Sequence, residues 1–514
     1  MDLNEIVGAV TRFLKTTPGK AVAGVLALAV IGAVAVLTLP GKTKHAAAIA
    51  SPNPNSSTSA GPVTSGAKKA VNAAAAAANS GAPSGNVVIA PSGHRVDVFA
   101  PKKTTTGVTY QPAHLYSGES AFQGITAKDI TLCLHAAISL GPAFNETADD
   151  VSTYFRYLNA RGGVIGRQVH LTIEDDKYTA QGAQIATQQC EGIKPFFVLG
   201  GIGFDQDPVV RSLAEQDHFL YIYTMADDGS QGHGPAKRYK YSFTAAPTIE
   251  QVGTWMAQVA LKHDPGPYGA VYVNDPNWVG GYNTFKTYMD AHGGKSVDKD
   301  SYTMGSGADN SQFNTYIAQM QLHGVKTVYL WMNALGADEF VQTASSQGFH
   351  PAYVTPDGFD LVTGTVGESF DDHSGSVRAA LAGWITPAFD PKNSNVPYWS
   401  TEKEMLDAYN KYDNGHQPDD IDWQAWLAFK SITDLLKLCG VDCNRNDIAG
   451  IFDSGLPLNS PPLCNTDFRS NHNFGGKYMN LWRATRVPYV SPDYPSANQH
   501  TVWKQITTCA EKFD

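Results

Sequence analysis

Past Gly124, apolar and polar positions along this chain change period repeatedly. Short apolar runs give way to stretches in which apolar residues recur every three or four positions, as strands alternating with amphipathic helices do. Ile130–Ile138 is an apolar run suited to a parallel strand buried on both faces, and the loop Ser139-Leu140-Gly141-Pro142 follows it. A helix then runs to Asn159 and stops at Gly162-Gly163, where glycine supplies the backbone conformation that ends helices. Val169, Leu171 and Ile173 alternate with polar residues as a strand, Asp175 and Asp176 close it, and a second helix opens at about Thr179. Five more runs repeat the scheme, each with a polar or glycine-rich loop beyond it. Phe197–Leu199 leads into Gly200–Phe204, Phe219–Tyr223 into Thr224–Asp227, and Ala270–Val273 into Asn274–Gly281. Thr327–Trp331 leads into Met332-Asn333-Ala334, and Ala352–Val354 into Thr355-Pro356-Asp357-Gly358. The pattern predicts an α/β protein built on parallel sheets.

The first part of the chain reads differently. After a short segment, residues 1–20, Ala21–Leu39 is apolar and uncharged. Its 19 residues at about 1.5 Å each span roughly 28 Å, close to the hydrocarbon thickness of a bilayer. The run predicts an uncleaved transmembrane anchor with the N-terminus inside; the rival is a cleaved signal peptide with an Ala48-x-Ala50 site and a secreted product. No cysteine follows the run before Cys133, so a lipid anchor there is excluded. Ala, Ser, Pro, Gly and Thr dominate from residue 45 to about 104, and residues 40–119 are expected to be a disordered linker and lead-in. About 60 residues of flexible coil reach on the order of 40–50 Å.

Charge divides the chain the same way. Residues 1–104 hold ten Lys/Arg and three Asp/Glu, and the remainder holds 28 and 45. An acidic main body excludes the clustered basic surface that a nucleic-acid partner requires. The six cysteines all lie in that body. An even number in an exported chain points to disulfides. Cys439–Cys443 and Cys464–Cys509 are the favoured pairs, with Cys133–Cys190 left over, although sequence alone leaves fifteen pairings open.

The Asn159–Tyr178 stretch resembles the type I periplasmic binding proteins, in particular the branched-chain amino-acid receptors of ABC importers. In that family the first helix ends in Asn-x-x-Gly-Gly-(Ile/Val)-x-Gly-(Arg/Asn) and the next strand in Asp-Asp; here those positions are Asn159, Gly162, Gly163, Val164, Gly166, Arg167, Asp175 and Asp176. The order of strand-end loops matches the family over roughly residues 124–514. The resemblance implies two α/β lobes joined by three crossings, with ligand held in the cleft. Lobe one would take about 120–244 and 384–460, and lobe two about 245–383 and 461–514. It further implies a small-molecule ligand, an ABC permease as partner, no cofactor and no enzymatic activity.

Site residues follow from the same resemblance. Ser139 is a candidate wall because ligands of open α/β sheets bind beyond the carboxyl ends of strands. Gly203 and Phe204 stand where the family places a carboxylate-gripping Ser, and Asp227 stands near its Thr. Trp278 replaces a second-lobe Tyr and keeps a face for rings or cations. Asn333 occupies another strand-end contact position, and Asp357 matches the acid that meets a ligand ammonium. The missing Ser and Thr shift the expectation from an ordinary amino acid toward a polar, cationic or ring-bearing ligand. The chain has no HExxH, Walker or Gly-x-Ser-x-Gly motif. The alternative class is a receptor or scaffold that uses the same lobes to bind a protein or cell-wall component.

Overall fold

The computed structural model describes residues 86–139, 148–201, 206–223, 239–244, 248–263, 266–274, 276–294, 296–302, 310–332, 334–355, 378–381, 399–414, 420–455, 467–469, 472–473, 475–476, 478–487, 500–505 and 511–512. The anchor expected at Ala21–Leu39 lies outside them, as do Cys464 and Cys509. Among the described residues no helix is long and apolar enough to cross a membrane.

The described chain begins with two small hairpins, β1 (Val87–Ile89) with β2 (Arg95–Asp97) and β3 (Lys102–Lys103) with β4 (Thr109–Tyr110). The first sheet takes β5 (Asp129–Ala136), β6 (Gln168–Asp175), β7 (Val198–Gly200), β8 (Tyr221–Tyr223) and β9 (Ser242–Thr244) in the order β6-β5-β7-β8-β9, all parallel. Helices α1 (Ala148–Ala160), α2 (Ala180–Gly192) and α3 (Gln206–Asp217) connect its strands. The chain then passes to a second sheet through α4 (Ile249–His263). That sheet takes β10 (Tyr268–Val273), β11 (Ser296–Tyr302), β12 (Thr327–Trp331), β13 (Ala352–Thr355) and β14 (Arg378–Leu381) in parallel, with α5 (Pro276–Ala291), α6 (Asn310–Leu322) and α7 (Ala334–Ser346) between them. Helices α8 (Trp399–Tyr412), α9 (Asp420–Cys439) and α10 (Arg445–Asp453) return the chain to the first sheet's side. Finally β15 (Tyr478–Val487), β16 (His500–Gln505) and β17 (Glu511–Lys512) extend the second sheet in antiparallel fashion.

Helix α1 shows why sequence and packing agree. Val151, Tyr154, Phe155 and Leu158 recur at i, i+3, i+4 and i+7 and are buried, forming the apolar stripe of a surface helix. Tyr154 meets Trp426 of α9 edge-on at 4.8 Å, and Phe155 meets Phe429 at 4.7 Å. At the next turn Gly163 has φ 74°, and a Cβ there would lie 1.8 Å from the Arg167 carbonyl oxygen, so only glycine fits. Alternation then sorts the central strand β5. Cys133 is bonded to Cys190 of α2, which fixes the face that Cys133 and, two residues on, His135 share.

The linker expectation for residues 40–119 fails over 86–119. Val98, Tyr110 and Tyr116 are buried, and the segment is strapped over α10 and the Cys439–Cys443 disulfide loop. Asn446 Oδ1 accepts from the Leu115 and Tyr116 amides, and its side-chain amide donates to the Tyr116 carbonyl. The Thr105 amide bonds Leu438 O, and Ser92 and His94 both bond Asp442. Lys102 Nζ lies 2.8 Å from Asp447 Oδ2, a buried carboxylate that also closes the capping box of α10. Val96, Val98, Phe99, Tyr110, Tyr116 and Phe122 supply the apolar surface, diluted in sequence by surrounding small residues. The strap meets the amino edge of the first sheet, since Arg167, just before β6, donates to Val441 O of the same disulfide loop.

Three outcomes are expected. Replacing Cys133 and Cys190 together by Ala removes a bridge spanning 57 residues and should lower unfolding free energy by about 2–4 kcal/mol in urea titration. Lys102→Met leaves the Asp447 charge buried and unpaired, costing about 3 kcal/mol, and adding Asp447→Asn should recover most of it. Partial burial pushes the Asp442 carboxyl up, but hydrogen bonds from Ser92 and His94 outweigh it and hold the group below the ordinary carboxylate range. A depressed carboxyl contributes stability that is present above its unfolded value and lost as pH falls below about 4, so the protection of amides in Asn86–Asp97, relative to their intrinsic exchange rates at each pH, should fall there, and Asp442→Asn should abolish that loss.

Candidate functional site

Parallel strands bring their carboxyl ends to one edge, where the following loops must satisfy backbone groups that the sheet no longer pairs. At the first sheet this edge is built on two consecutive carboxylates. Asp175, the last residue of β6, accepts from the Ser139 amide and hydroxyl at 3.2 Å each and from the Lys177 amide at 3.0 Å. Asp176 donates its amide to Ala136 O at 2.9 Å and accepts the Tyr178 amide at 2.8 Å. Lys177 and Tyr178 both have left-handed backbone, φ 56° and 54°, a cost of order 1 kcal/mol or more each for residues carrying a Cβ. Thr179 then caps α2 by accepting the Gly182 amide. The two aspartates thus hold a strained turn between strand and helix.

Beneath this turn lies a polar network without solvent access. His135 Nδ1 stands 2.9 Å from Asp176 Oδ2, and its Nε2 stands 2.6 Å from the Tyr221 hydroxyl. Tyr221 donates to Asp207 Oδ1 at 2.7 Å. His135, Asp176, Asp207 and Tyr221 are all 0% exposed. They come from β5, the β6–α2 turn, the first turn of α3 and β8, so one network ties four segments at this edge. Gly201 makes the fit close, because a Cβ there would sit 2.2 Å from the His135 carbonyl oxygen.

The second sheet's edge is aromatic. Helix α5 starts at Pro276, so the loop expected over Asn274–Gly281 is mostly helix; proline suits the first helical position because its missing N–H would be unpaired there anyway. Trp278 falls in that first turn and is 5% exposed. Tyr272 stacks on Tyr282 at 4.4 Å. A Cβ on Gly281 would lie 2.9 Å from the Trp331 ring, so α5 rides close over the end of β12.

Of the seven residues expected at the site, Ser139 is exposed at the first edge with its hydroxyl engaged by Asp175, and Trp278 is buried at the second. Gly203, Phe204, Asp227, Asn333 and Asp357 lie outside the described residues. Sequence reasoning missed His135, Asp207 and Tyr221. The signal for His135 is a single histidine within the apolar Ile130–Ile138 run, which a parallel strand buries on both faces. Among the described residues no group of three or more His, Cys, Asp or Glu could hold a metal ion.

Comparison with known proteins agrees with this architecture. Solved structures of similar fold include a leucine-bound ABC-transporter substrate-binding protein from Desulfitobacterium hafniense, 16% identical, TM-score 0.54, covering 74% of this chain and 100% of that one. A solute-binding protein of an ABC transporter from Rhodopseudomonas palustris, in complex with 3,4-dihydroxybenzoic acid, is 15% identical, TM-score 0.57, over 75% of this chain and 97% of that one. A fatty acid ABC transporter substrate-binding protein from Thermomonospora curvata is 14% identical, TM-score 0.56, over 80% and 99%. No curated protein sequence matches. The profile of the family described as "Periplasmic binding protein" matches residues 138–486, more than half of the chain. With the Gly-Gly turn, the paired aspartates and the two sheets in place, the chain belongs to the type I periplasmic binding protein family.

Proposed function

We propose that this protein is a membrane-tethered extracytoplasmic receptor that captures a small polar molecule between two lobes and presents it to an ABC permease. The observation that carries this reading is the chain's path. It leaves the first sheet after Thr244, returns to that side at Trp399 after Leu381, and rejoins the second sheet at Tyr478. Two sheets joined by three crossings can close as hinged bodies, and closure is favoured by a ligand that touches both. Ala21–Leu39 is the proposed anchor. Ser139, Gly203, Phe204 and Asp227 are the proposed contacts from one lobe, with Trp278, Asn333 and Asp357 from the other.

The first edge supports a ligand that offers hydrogen-bond donors or a cation there. Asp175 already takes the Ser139 hydroxyl as donor, so a ligand carboxylate would face acceptors at that point. The structural neighbours are named for ligands as different as leucine and a fatty acid, and the fold by itself leaves the ligand class open.

A thermal-shift screen of the full chain against amino acids, polyamines, aromatic acids and sugars tests this. A ligand at about 100 times its dissociation constant should add roughly 2.7 kcal/mol of stability. Asp357→Ala should abolish the shift. Silence across the panel would count against small-molecule capture and for the receptor or scaffold class.

A further inference from the structure

A cavity of about 330 Å³ lies in the seam between the strap and the first sheet. Its lining is Ala113, His114 and Leu115 of the strap, Lys240 just before β9, Asp453 at the end of α10, and His472. Lys240 places it at the amino edge of the sheet, away from the strand ends where Asp175 and Asp176 shape their turn. The volume falls in the range of small-molecule pockets, roughly 300–1,000 Å³. Its walls are set before any ligand arrives. The Ala113 amide donates to Asn446 O and the Leu115 amide to Asn446 Oδ1, so one residue pins the chain on both sides of His114. The His114 ring stacks on Phe99 at 4.4 Å with 10° between the planes. His472 packs on Phe243 at 4.5 Å. A ligand entering such a site has little side-chain ordering to offset.

The polar groups of the lining are unevenly used. His472 lies between two of its acceptors, with Nδ1 2.5 Å from Asp453 Oδ1 and Nε2 3.3 Å from the Lys240 carbonyl oxygen. The donors are the groups left over. Lys240 and His114 are both exposed, and among the described residues neither side chain has a hydrogen-bond or ion-pair partner. An ammonium offers three N–H donors and a charge, and an imidazole offers at least one N–H in either tautomer. Ala113 and Leu115 add apolar surface beside them. A cation entering here would meet Lys240 and find the Asp453 carboxylate already facing His472. An anion would meet unused donors.

We infer that this cavity is a second small-molecule site, one that takes a small organic carboxylate, with Lys240 and His114 holding the carboxylate and Ala113 and Leu115 meeting its apolar body. Hydrogen bonds from such donors to an ionised oxygen are among the stronger ones available. Because His114 belongs to the strap and Lys240 leads into β9, a ligand bound to both adds a fastening to the seam. The site does not rest on the solute-binding reading above.

Hydrogen exchange of the full chain, followed by mass spectrometry, tests this. The probes are sodium benzoate, benzylamine as its cationic counterpart, and inorganic phosphate as an anion without an apolar body. Saturating benzoate should slow exchange at the amides of residues 113–116 by about fivefold or more. Replacing Lys240→Met and His114→Phe together keeps the bulk at 240 and a ring against Phe99, and should remove the slowing. Benzoate captured between the lobes would act instead at Ser139 and Asp176–Tyr178 and would survive that replacement, so the two sites are told apart. Unchanged exchange at 113–116, an equal effect of benzylamine, or slowing that persists in the double variant overturns the site. Phosphate acting as strongly as benzoate overturns the assignment to an organic carboxylate.

Discussion

Strand β5 is buried on both faces and paired on both edges, by β6 and β7, and the rest of the first sheet is arranged around that condition. A strand so placed has no water to satisfy its backbone, so its ladder has to be complete. Its side chains must also suit two different neighbours. Leu132 and Leu134 are apolar, as an ordinary core demands. Cys133 and His135 point to the α2 side, and neither is inert there: one is cross-linked to α2 and the other is held by two carboxylates and a phenol. The polar cluster is tolerated because its members hydrogen-bond one another, Tyr221 to Asp207 and His135 to both Asp176 and Tyr221, which is the requirement for burying polar groups at all.

Much of this was legible in the sequence. The turn from Asn159 to Tyr178 fell where the glycines and the paired aspartates put it, because Gly163 has no sterically acceptable substitute and Asp176 ends the strand by bonding its own turn. Strand runs such as Thr327–Trp331 coincide with their apolar patches, since parallel strands buried on both faces need continuous apolar residues. Cys133–Cys190 and Cys439–Cys443 are both bonded, although spacing by itself could not choose among the pairings.

What escaped has physical causes. The strap of residues 86–116 was hidden by composition, because its apolar residues are sparse and its polar anchors lie more than 300 positions away, on α10 and the loop before it. Local pattern carries no trace of such a contact. Helix α5 was hidden by Pro276, which breaks helices internally but is at home at their start. His135 was hidden because a lone histidine in an apolar run is ordinarily just a residue to be satisfied; only the convergence of Asp176, Asp207 and Tyr221 from three other segments gives it a role. Ser139 was legible as an edge residue, but not that Asp175 would already hold its hydroxyl.

The strap also fixes where a mechanical load would enter. The chain preceding Asn86 joins the folded body through the two hairpins, and these are fastened to Asp442, Asp447, Asn446 and Leu438 at the amino edge of the first sheet. A pull along the N-terminal chain is therefore borne by that seam, with the Cys439–Cys443 bridge stiffening the loop beneath it. The opposite edge, where Asp175 and Asp176 shape the turn, takes no part in these contacts. The fastening of the chain and the shaping of that turn are thus the work of separate groups.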